Sequence, residues 1–181
     1  MRKFILDDMP EDAGFGCLQP LFQPHLPLWQ KVYALPEAEF LSGLYIFKAS
    51  LDGRWRGTQS VWRRLTVPGK ATLDSLAMAV LDAFEFDDTE HLYEFRYRDQ
   101  TGAPRVYNHY YCEEGPYAHQ IKMGEIGLPE KGTLRFHFDF GDDWRFVLRL
   151  ERIARADKRI RRPTVIESCG EPPKQYPNAE G

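Results

Sequence analysis

The residues best suited to chemistry lie around Gly141, where one histidine and three aspartates fall within seven positions. They are His137, Asp139, Asp142 and Asp143. Side chains two residues apart on a strand point the same way, so His137 and Asp139 could bind one divalent cation together. A cation held there could activate water, which suggests a metal-dependent hydrolase or nuclease. The structural alternative is a hairpin turn, since aspartate is common in turns and Asp139 is expected to pair with Arg145.

A second group of residues suits phosphate binding. The segment 152–162 holds six cations and one acid, Asp157, so it carries a net charge of +5 on a chain whose total is −3. Cations at this density attract nucleic-acid phosphates, although such runs also occur on ordinary solvated surfaces. The six cations are Arg152, Arg155, Lys158, Arg159, Arg161 and Arg162.

Tyrosines and arginines are interleaved between residues 93 and 117. Aromatic rings beside arginines can stack unpaired bases, as in proteins that bind single-stranded nucleic acid. The same pattern arises when alternate tyrosines face a core and the arginines face solvent, and no RNA-recognition consensus is present. The arginines are Arg96, Arg98 and Arg105, and the tyrosines are Tyr93, Tyr97, Tyr107, Tyr110, Tyr111 and Tyr117.

Composition and motifs exclude several other classes. An apolar share of 43% without a short period is not that of collagen or a wholly disordered chain. The sequence has no apolar run of the roughly 18 residues that a membrane span needs, and no signal-peptide core is expected near its start. Three separated cysteines favour a reducing cytoplasm. No glycine-rich phosphate-binding motif occurs, so no cofactor is predicted.

Hydrophobic periodicity indicates the elements that must position these residues. Apolar residues at spacings of three and four from Leu73 to Phe84, with Thr72 as N-cap, predict a helix over about 73–85. Alternating patterns predict that strands pack in a mainly antiparallel sheet with this helix on its apolar face, an α+β domain. The predicted strands cover residues 44–51, 60–67, 91–98, 105–111, 133–140 and 144–151.

The last two predicted strands also suggest a register. Phe140 opposite Trp144 brings both apolar sets to one face and leaves residues 141–143 as the loop. Asp143 would then take a left-handed conformation, which aspartate tolerates better than most residues. We expect Phe138 and its apolar neighbours to pack against the helix.

Three segments of the chain differ in composition. Residues 1–43 are proline-rich and acidic and predict an irregular arm, while residues 44–152 hold the periodic patterns of the α+β domain. Residues 153–181 are first basic and then proline-rich, which predicts an extended, irregular tail.

Three motifs, in this order along the chain, resemble the plasmid pRiA4b open-reading-frame-three-like family. They are Val-Trp-Arg-Arg at 61–64, His-Leu-Tyr-Glu-Phe at 91–95 and Phe-Asp-Phe-Gly-Asp-Asp-Trp at 138–144. The resemblance covers roughly residues 44–152 and implies a small α+β domain of bacteria and archaea. It also implies an association of some members with mobile elements, and it implies no established activity.

Two functions follow from these observations, and the sequence leaves both open. The leading interpretation is a non-enzymatic binding or interaction domain, with nucleic acid or a protein as its partner and no membrane contact. The alternative is the hydrolase or nuclease, which would use a divalent cation. Clustering of His137 and the aspartates in a cleft would favour the enzyme, whereas an exposed hairpin tip with Asp139 paired to Arg145 would favour the binding domain.

Overall fold

The computed structural model describes residues 41–52, 61–87, 91–99 and 101–176. The predicted arm over 1–43 lies outside the described residues except for its last three. The described elements are β1 (Leu44–Leu51), β2 (Trp62–Pro68), α1 (Leu73–Ala83), β3 (Tyr93–Arg98), β4 (Pro104–Asn108), β5 (Thr133–Phe138), β6 (Trp144–Ala154) and β7 (Thr164–Cys169), with short 3-10 helices at Ala118–Gln120 and Met123–Glu125.

The strands form one antiparallel sheet in the order β4-β3-β5-β6-β1-β2-β7. With α1 on one face of this sheet, the fold is α+β, as the sequence predicts. Within the described residues, no helix combines the length and hydropathy needed to cross a bilayer.

Helix α1 forms where the periodicity predicts it. The Thr72 side chain accepts a hydrogen bond from the Ser75 backbone N–H at 3.1 Å, which satisfies a donor that the first helical turn leaves unpaired. Asp74 lies in that turn, where the helix dipole favours an acidic side chain. The buried stripe consists of Leu73, Leu76, Ala77, Val80 and Leu81.

Aromatic side chains fill the core between α1 and the sheet. Phe86, just after the helix, lies with its ring centroid 4.5 Å from that of Trp144, and Phe84 lies 5.1 Å from Phe146. The inward positions of β3, β5 and β6 are fully buried apart from slight exposure at two of them: Tyr93, Phe95, Tyr97, Leu134, Phe136, Phe138, Trp144, Phe146, Leu148 and Leu150. The opposite face of these three strands, here called the open face, carries their polar side chains.

The register of the final hairpin differs from the prediction by two residues. Phe138, not Phe140, lies opposite Trp144. Both registers give Thr133–Phe138 and β6 the same faces, so these faces are predicted correctly, whereas the end of β5 and the core position of Phe140 are wrong. Phe140 lies in the turn and is 45% exposed. The left-handed conformation predicted for Asp143 is confirmed, with φ at 59°.

Asp139 ends β5 two residues early. Its φ is 50°, a left-handed value that breaks the strand. Its Oδ1 accepts hydrogen bonds from the backbone N–H groups of Gly141 (3.1 Å) and Asp142 (3.3 Å), which closes an Asx turn. The connection is therefore five residues long, from Asp139 to Asp143, instead of three.

The segment after Arg152 is more regular than predicted. Strand β6 continues to Ala154, and β7 pairs with β2 at the edge of the sheet. The prediction of an irregular tail is wrong for Thr164–Cys169, which form β7. All six residues of this strand are exposed. A strand without a buried face shows no alternation of polar and apolar residues that periodicity could detect.

Candidate functional site

The structure separates the acidic residues of the hairpin turn into two groups. Asp139 is 7% exposed, and its Oδ2 lies 3.4 Å from Nδ1 of His91, whose ring contacts Phe138 on the core side of the sheet. Arg145 pairs instead with Asp143, with Nε 2.7 Å from Oδ1. The predicted pair of Asp139 with Arg145 is therefore wrong.

His137 lies on the open face, away from Asp139. Its Nε2 is 2.9 Å from Asp143 Oδ1, at an angle outside hydrogen-bond geometry, and its Nδ1 is 3.5 Å from Glu94 Oε1. The rule that side chains two apart share a face fails here because β5 ends at Phe138, between the two residues. Asp142 is exposed at the tip of the turn.

The predicted metal ligands therefore do not converge. In the described parts of the chain, no three histidine, cysteine, aspartate or glutamate side chains are placed to hold one ion. The Asp139 carboxylate closes the turn and contacts His91, while His137 contacts residues on the other side of the sheet. The arrangement favours a structural role for Asp139.

A cavity of about 340 Å³ opens on the open face and was not identified from the sequence. Six polar side chains line this cavity. Two come from β3, two from β5 and one from β6, and the sixth is that of Asp52, which follows β1. Phe136 and Phe146 complete the lining. The polar lining residues are Asp52, Glu94, Arg96, Arg135, His137 and Arg145.

Each arginine of this cavity has a carboxylate partner. Arg96 donates from Nη2 to Glu94 at 2.9 Å, and this hydrogen bond raises the pKa of the guanidinium above its usual value. Arg135 donates to Asp52 at 2.8 Å, and Arg145 pairs with Asp143 as described above. The Arg96, Arg135 and Arg145 side chains are 63%, 64% and 60% exposed, whereas that of Glu94 is only 11% exposed.

The basic segment 152–162 covers the end of β6 and most of its connection to β7. All six of its cations are exposed. Among the described residues, Arg159 is the one cation of the six that pairs with a carboxylate, that of Asp157 at 2.7 Å. Hydrogen bonds from Arg159 lower the pKa of Asp157 to about 2.

The basic segment and the cavity lie at opposite ends of β6. Arg145 is near the start of this strand, and Ala154 ends it. At about 3.3 Å per residue, the seven steps from Arg145 to Arg152, the first cation of the segment, span about 23 Å. The two sites cannot contact one phosphate together.

The tyrosines between 93 and 117 divide between the core and the surface. Tyr93 and Tyr97 are buried, in agreement with the structural interpretation of the pattern. Tyr110 and Tyr111, after β4, are 47% and 71% exposed, and their ring centroids lie 4.0 Å apart beside His109. These two rings are therefore largely exposed, whereas Tyr93 and Tyr97 belong to the core.

The comparisons with known proteins agree with the fold. A family profile described as "Plasmid pRiA4b ORF-3-like protein" matches residues 44–176, which include β7. The chain belongs to this family. A crystal structure of a protein of unknown function, MM3350 from Methanosarcina mazei Go1, is similar at 26% identity and a TM-score of 0.60, over 70% of this chain and 69% of that one. A search of curated proteins finds no match.

Beside the exposed tyrosines, the burial of His109 predicts that the stability of the domain depends on pH. His109 is 8% exposed, and its ring centroid lies 4.8 Å from that of Tyr93. Burial lowers the pKa of the His109 imidazole below the ordinary value of 6.5. The unfolded chain therefore binds a proton more readily than the folded one, so stability should fall as the pH drops below about 6.5.

Thermal unfolding between pH 7.5 and 5.5 measures this effect. In His109→Gln the group no longer titrates, and we expect a smaller loss of melting temperature over this interval than in the original protein. Equal losses in both proteins would show that His109 does not couple protonation to folding.

Proposed function

We propose that this member of the pRiA4b ORF-3-like family is a nucleic-acid-binding domain and not an enzyme, with segment 152–162 as its phosphate-contacting surface. The proposal depends on the exposure of all six cations in a segment that contains one acid, Asp157; outside the segment, Glu130 accepts a hydrogen bond from the Ile153 backbone N–H. That acid is already paired with Arg159. The other five cations are exposed, and no carboxylate among the described residues forms an ion pair with them.

Clustered cations of this kind bind phosphate by releasing condensed counterions. Isolated cations are screened within about 8–10 Å at physiological salt, so several must contact one backbone together. Segment 152–162 meets this requirement because its cations follow each other within eleven residues. The association with mobile elements that the family resemblance implies also supports nucleic acid as the partner.

The hydrolase or nuclease is not proposed as a second function. Its candidate residues divide between Asp139, which contacts His91, and His137, which contacts Glu94 and Asp143. Nothing in the described residues favours a shared cation over these contacts.

Fluorescence anisotropy with labelled single- and double-stranded DNA and RNA at low salt tests the proposal. We expect binding to at least one of the four probes, and about tenfold or greater weakening in the double variant Arg161→Ala/Arg162→Ala, since each phosphate contact contributes to affinity independently of sequence. Thermal stability should change little because exposed cations contribute little to folding.

The matched control is Arg149→Ala/Lys174→Ala, which removes the same charge from two exposed cations outside segment 152–162. Its affinity should stay within about twofold of the original protein, apart from the small effect of net charge. Absence of binding to all four probes, or equal weakening in both double variants, would contradict the proposal.

A further inference from the structure

We propose that one end of the sheet binds double-stranded nucleic acid through its phosphate groups alone, and that Lys70 contributes to this contact together with segment 152–162. This end, here called the basic end, is where β6 ends and β7 begins. The inference rests on the nucleic-acid binding proposed above and names its substrate class, a duplex of any sequence. It also adds a cation that is distant from the segment in sequence.

The strand order brings Lys70 to the basic end. Strands β1 and β2 lie between β6 and β7, so the connection from β6 to β7 has to cross their width. Leu44, the first residue of β1, lies opposite both Ala154 and Pro68, so β2 ends level with β6. Lys70 follows the end of β2 by two residues. It therefore lies at the same end of the sheet as the connection that carries the cations.

The cations are spread across the basic end, which suits a polymer of phosphates. Adjacent strands are about 4.8 Å apart, so the width from β6 to β7 is about 14 Å. Lys70 follows β2, within this width, and its side chain is exposed. Phosphates follow one another along a nucleic-acid backbone, so the cations that bind them can be spaced along a surface and need not converge on one point.

The charge of the basic end stays positive because its acidic side chains are few and mostly engaged. Asp157 pairs within the segment, as described above, and Glu125 Oε1 lies 3.6 Å from Lys122 Nζ. Glu130 keeps its charge and accepts a backbone hydrogen bond. Within the part of the chain that the structure describes, no carboxylate forms an ion pair with Lys70. Its ammonium group is therefore available to a phosphate.

The exposed tyrosine and phenylalanine side chains of the described residues lie at the opposite end of the sheet. Phe140 is in the turn from β5 to β6. Tyr110 and Tyr111 follow β4, which ends level with the start of β6. The Tyr176 hydroxyl lies 3.0 Å from Nε2 of His91, just before β3 begins at that same end. The basic end thus presents cations without an aromatic surface beside them.

This division favours a duplex over a single strand. Proteins that bind single strands combine cations with aromatic side chains on which the bases stack. The basic end offers cations alone, so its affinity should follow the charge density of the ligand and not its sequence. A duplex carries one charge per about 1.7 Å of its axis, twice the density of one strand. The duplex should therefore bind more tightly.

Fluorescence anisotropy of the full chain at several salt concentrations tests this inference. The probes are two DNA duplexes of unrelated sequence, one RNA duplex and the separate strands of each. We expect each duplex to bind about fivefold or more tightly than its own strands, because of its higher charge density. The two DNA duplexes should bind within about twofold of each other, since phosphate contacts carry no sequence information.

Lys70→Gln tests the assignment of Lys70. It should weaken duplex binding by about threefold or more at low salt and flatten the slope of log K against log salt by about 1, because one phosphate contact is lost. Lys174→Gln is the matched control, at an exposed lysine beyond the opposite end of β7. It should change neither quantity appreciably, and thermal stability should be similar in both variants.

The possible failures separate this inference from the proposal on which it rests. Equal effects of Lys70→Gln and Lys174→Gln would overturn the assignment of Lys70, and single strands bound as tightly as their duplexes would overturn the choice of a duplex. Either result leaves the nucleic-acid proposal standing, because that proposal requires only binding that depends on Arg161 and Arg162. Absence of binding to every probe would contradict both.

Discussion

Replacing Phe138 with alanine is expected to lower the free energy of unfolding by about 3–5 kcal/mol, the range for emptying a buried aromatic position. Phe138 is fully buried, lies opposite Trp144 and has its ring centroid 6.5 Å from that of Phe86. Neighbours held by a sheet and a helix can relax only partly into the cavity. Urea denaturation followed by tryptophan fluorescence and circular dichroism measures the loss.

Phe140→Ala is the matched control for this prediction. Phe140 has the same side chain two residues later, but it is 45% exposed and lies against the His137 ring at 4.9 Å. Its replacement should cost less than about 1 kcal/mol, as for most surface positions. Equal losses in the two variants would contradict the register in which Phe138 opposes Trp144.

Replacing Arg63 with methionine is the second change with a large expected effect. The Arg63 residue is 5% exposed, on the core side of β2, and its Nε donates to the Ala83 carbonyl at the end of α1 at 2.7 Å. Its Nη1 lies within 3.1 Å of the carbonyl oxygens of Trp62, Cys169 and Gly170. One side chain thus joins the end of α1 to β2 and to the end of the edge strand β7.

We expect Arg63→Met to lower the free energy of unfolding by about 2–4 kcal/mol. Hydrogen bonds from a charged donor contribute about 1.5–3 kcal/mol each, and water can replace part of those to the exposed residues Cys169 and Gly170. Methionine keeps much of the aliphatic volume, so the loss reports the hydrogen bonds more than the packing. Arg149→Met, an exposed arginine in the same sheet, is the control and should have a much smaller effect. Equal effects would show that the Arg63 hydrogen bonds do not hold β7 and α1 in place.

Most of the fold could be predicted because its signals are local. The stripe from Leu73 to Leu81 and the Thr72 cap define α1 without any knowledge of the sheet. Strand β1 has the predicted bounds, since its pattern ends sharply at Leu51. The core faces of β5 and β6 follow from alternation, which is insensitive to a shift of register by two residues.

The remaining differences arise from interactions that periodicity does not encode. Asp139 continues the alternating pattern in sequence, yet its side chain closes a turn by hydrogen bonds to the Gly141 and Asp142 backbone. Strand β7 has no buried face, so only its pairing with β2 identifies it. In both cases hydrogen bonds, and not the alternation of apolar residues, decide the structure.

The two candidate sites also differ in whether local sequence reveals them. The cations of segment 152–162 are adjacent in sequence and could be found there. The cavity takes side chains from β3, β5 and β6 and from Asp52, and these become neighbours only through the strand order and register. Alternation predicts that Arg96 and Arg135 face away from the core, but it does not predict that they lie opposite each other.

The salt dependence of nucleic-acid affinity reports directly whether segment 152–162 neutralises phosphates. For the original protein on double-stranded DNA, we predict a slope of log K against log salt of about −3 or steeper, since each neutralised phosphate contributes about −0.9. In Arg161→Ala/Arg162→Ala the slope should become flatter by about 2, while Arg149→Ala/Lys174→Ala should keep the original slope. A slope near zero in the original protein, or the same slope in the Arg161/Arg162 variant, would contradict phosphate binding by segment 152–162.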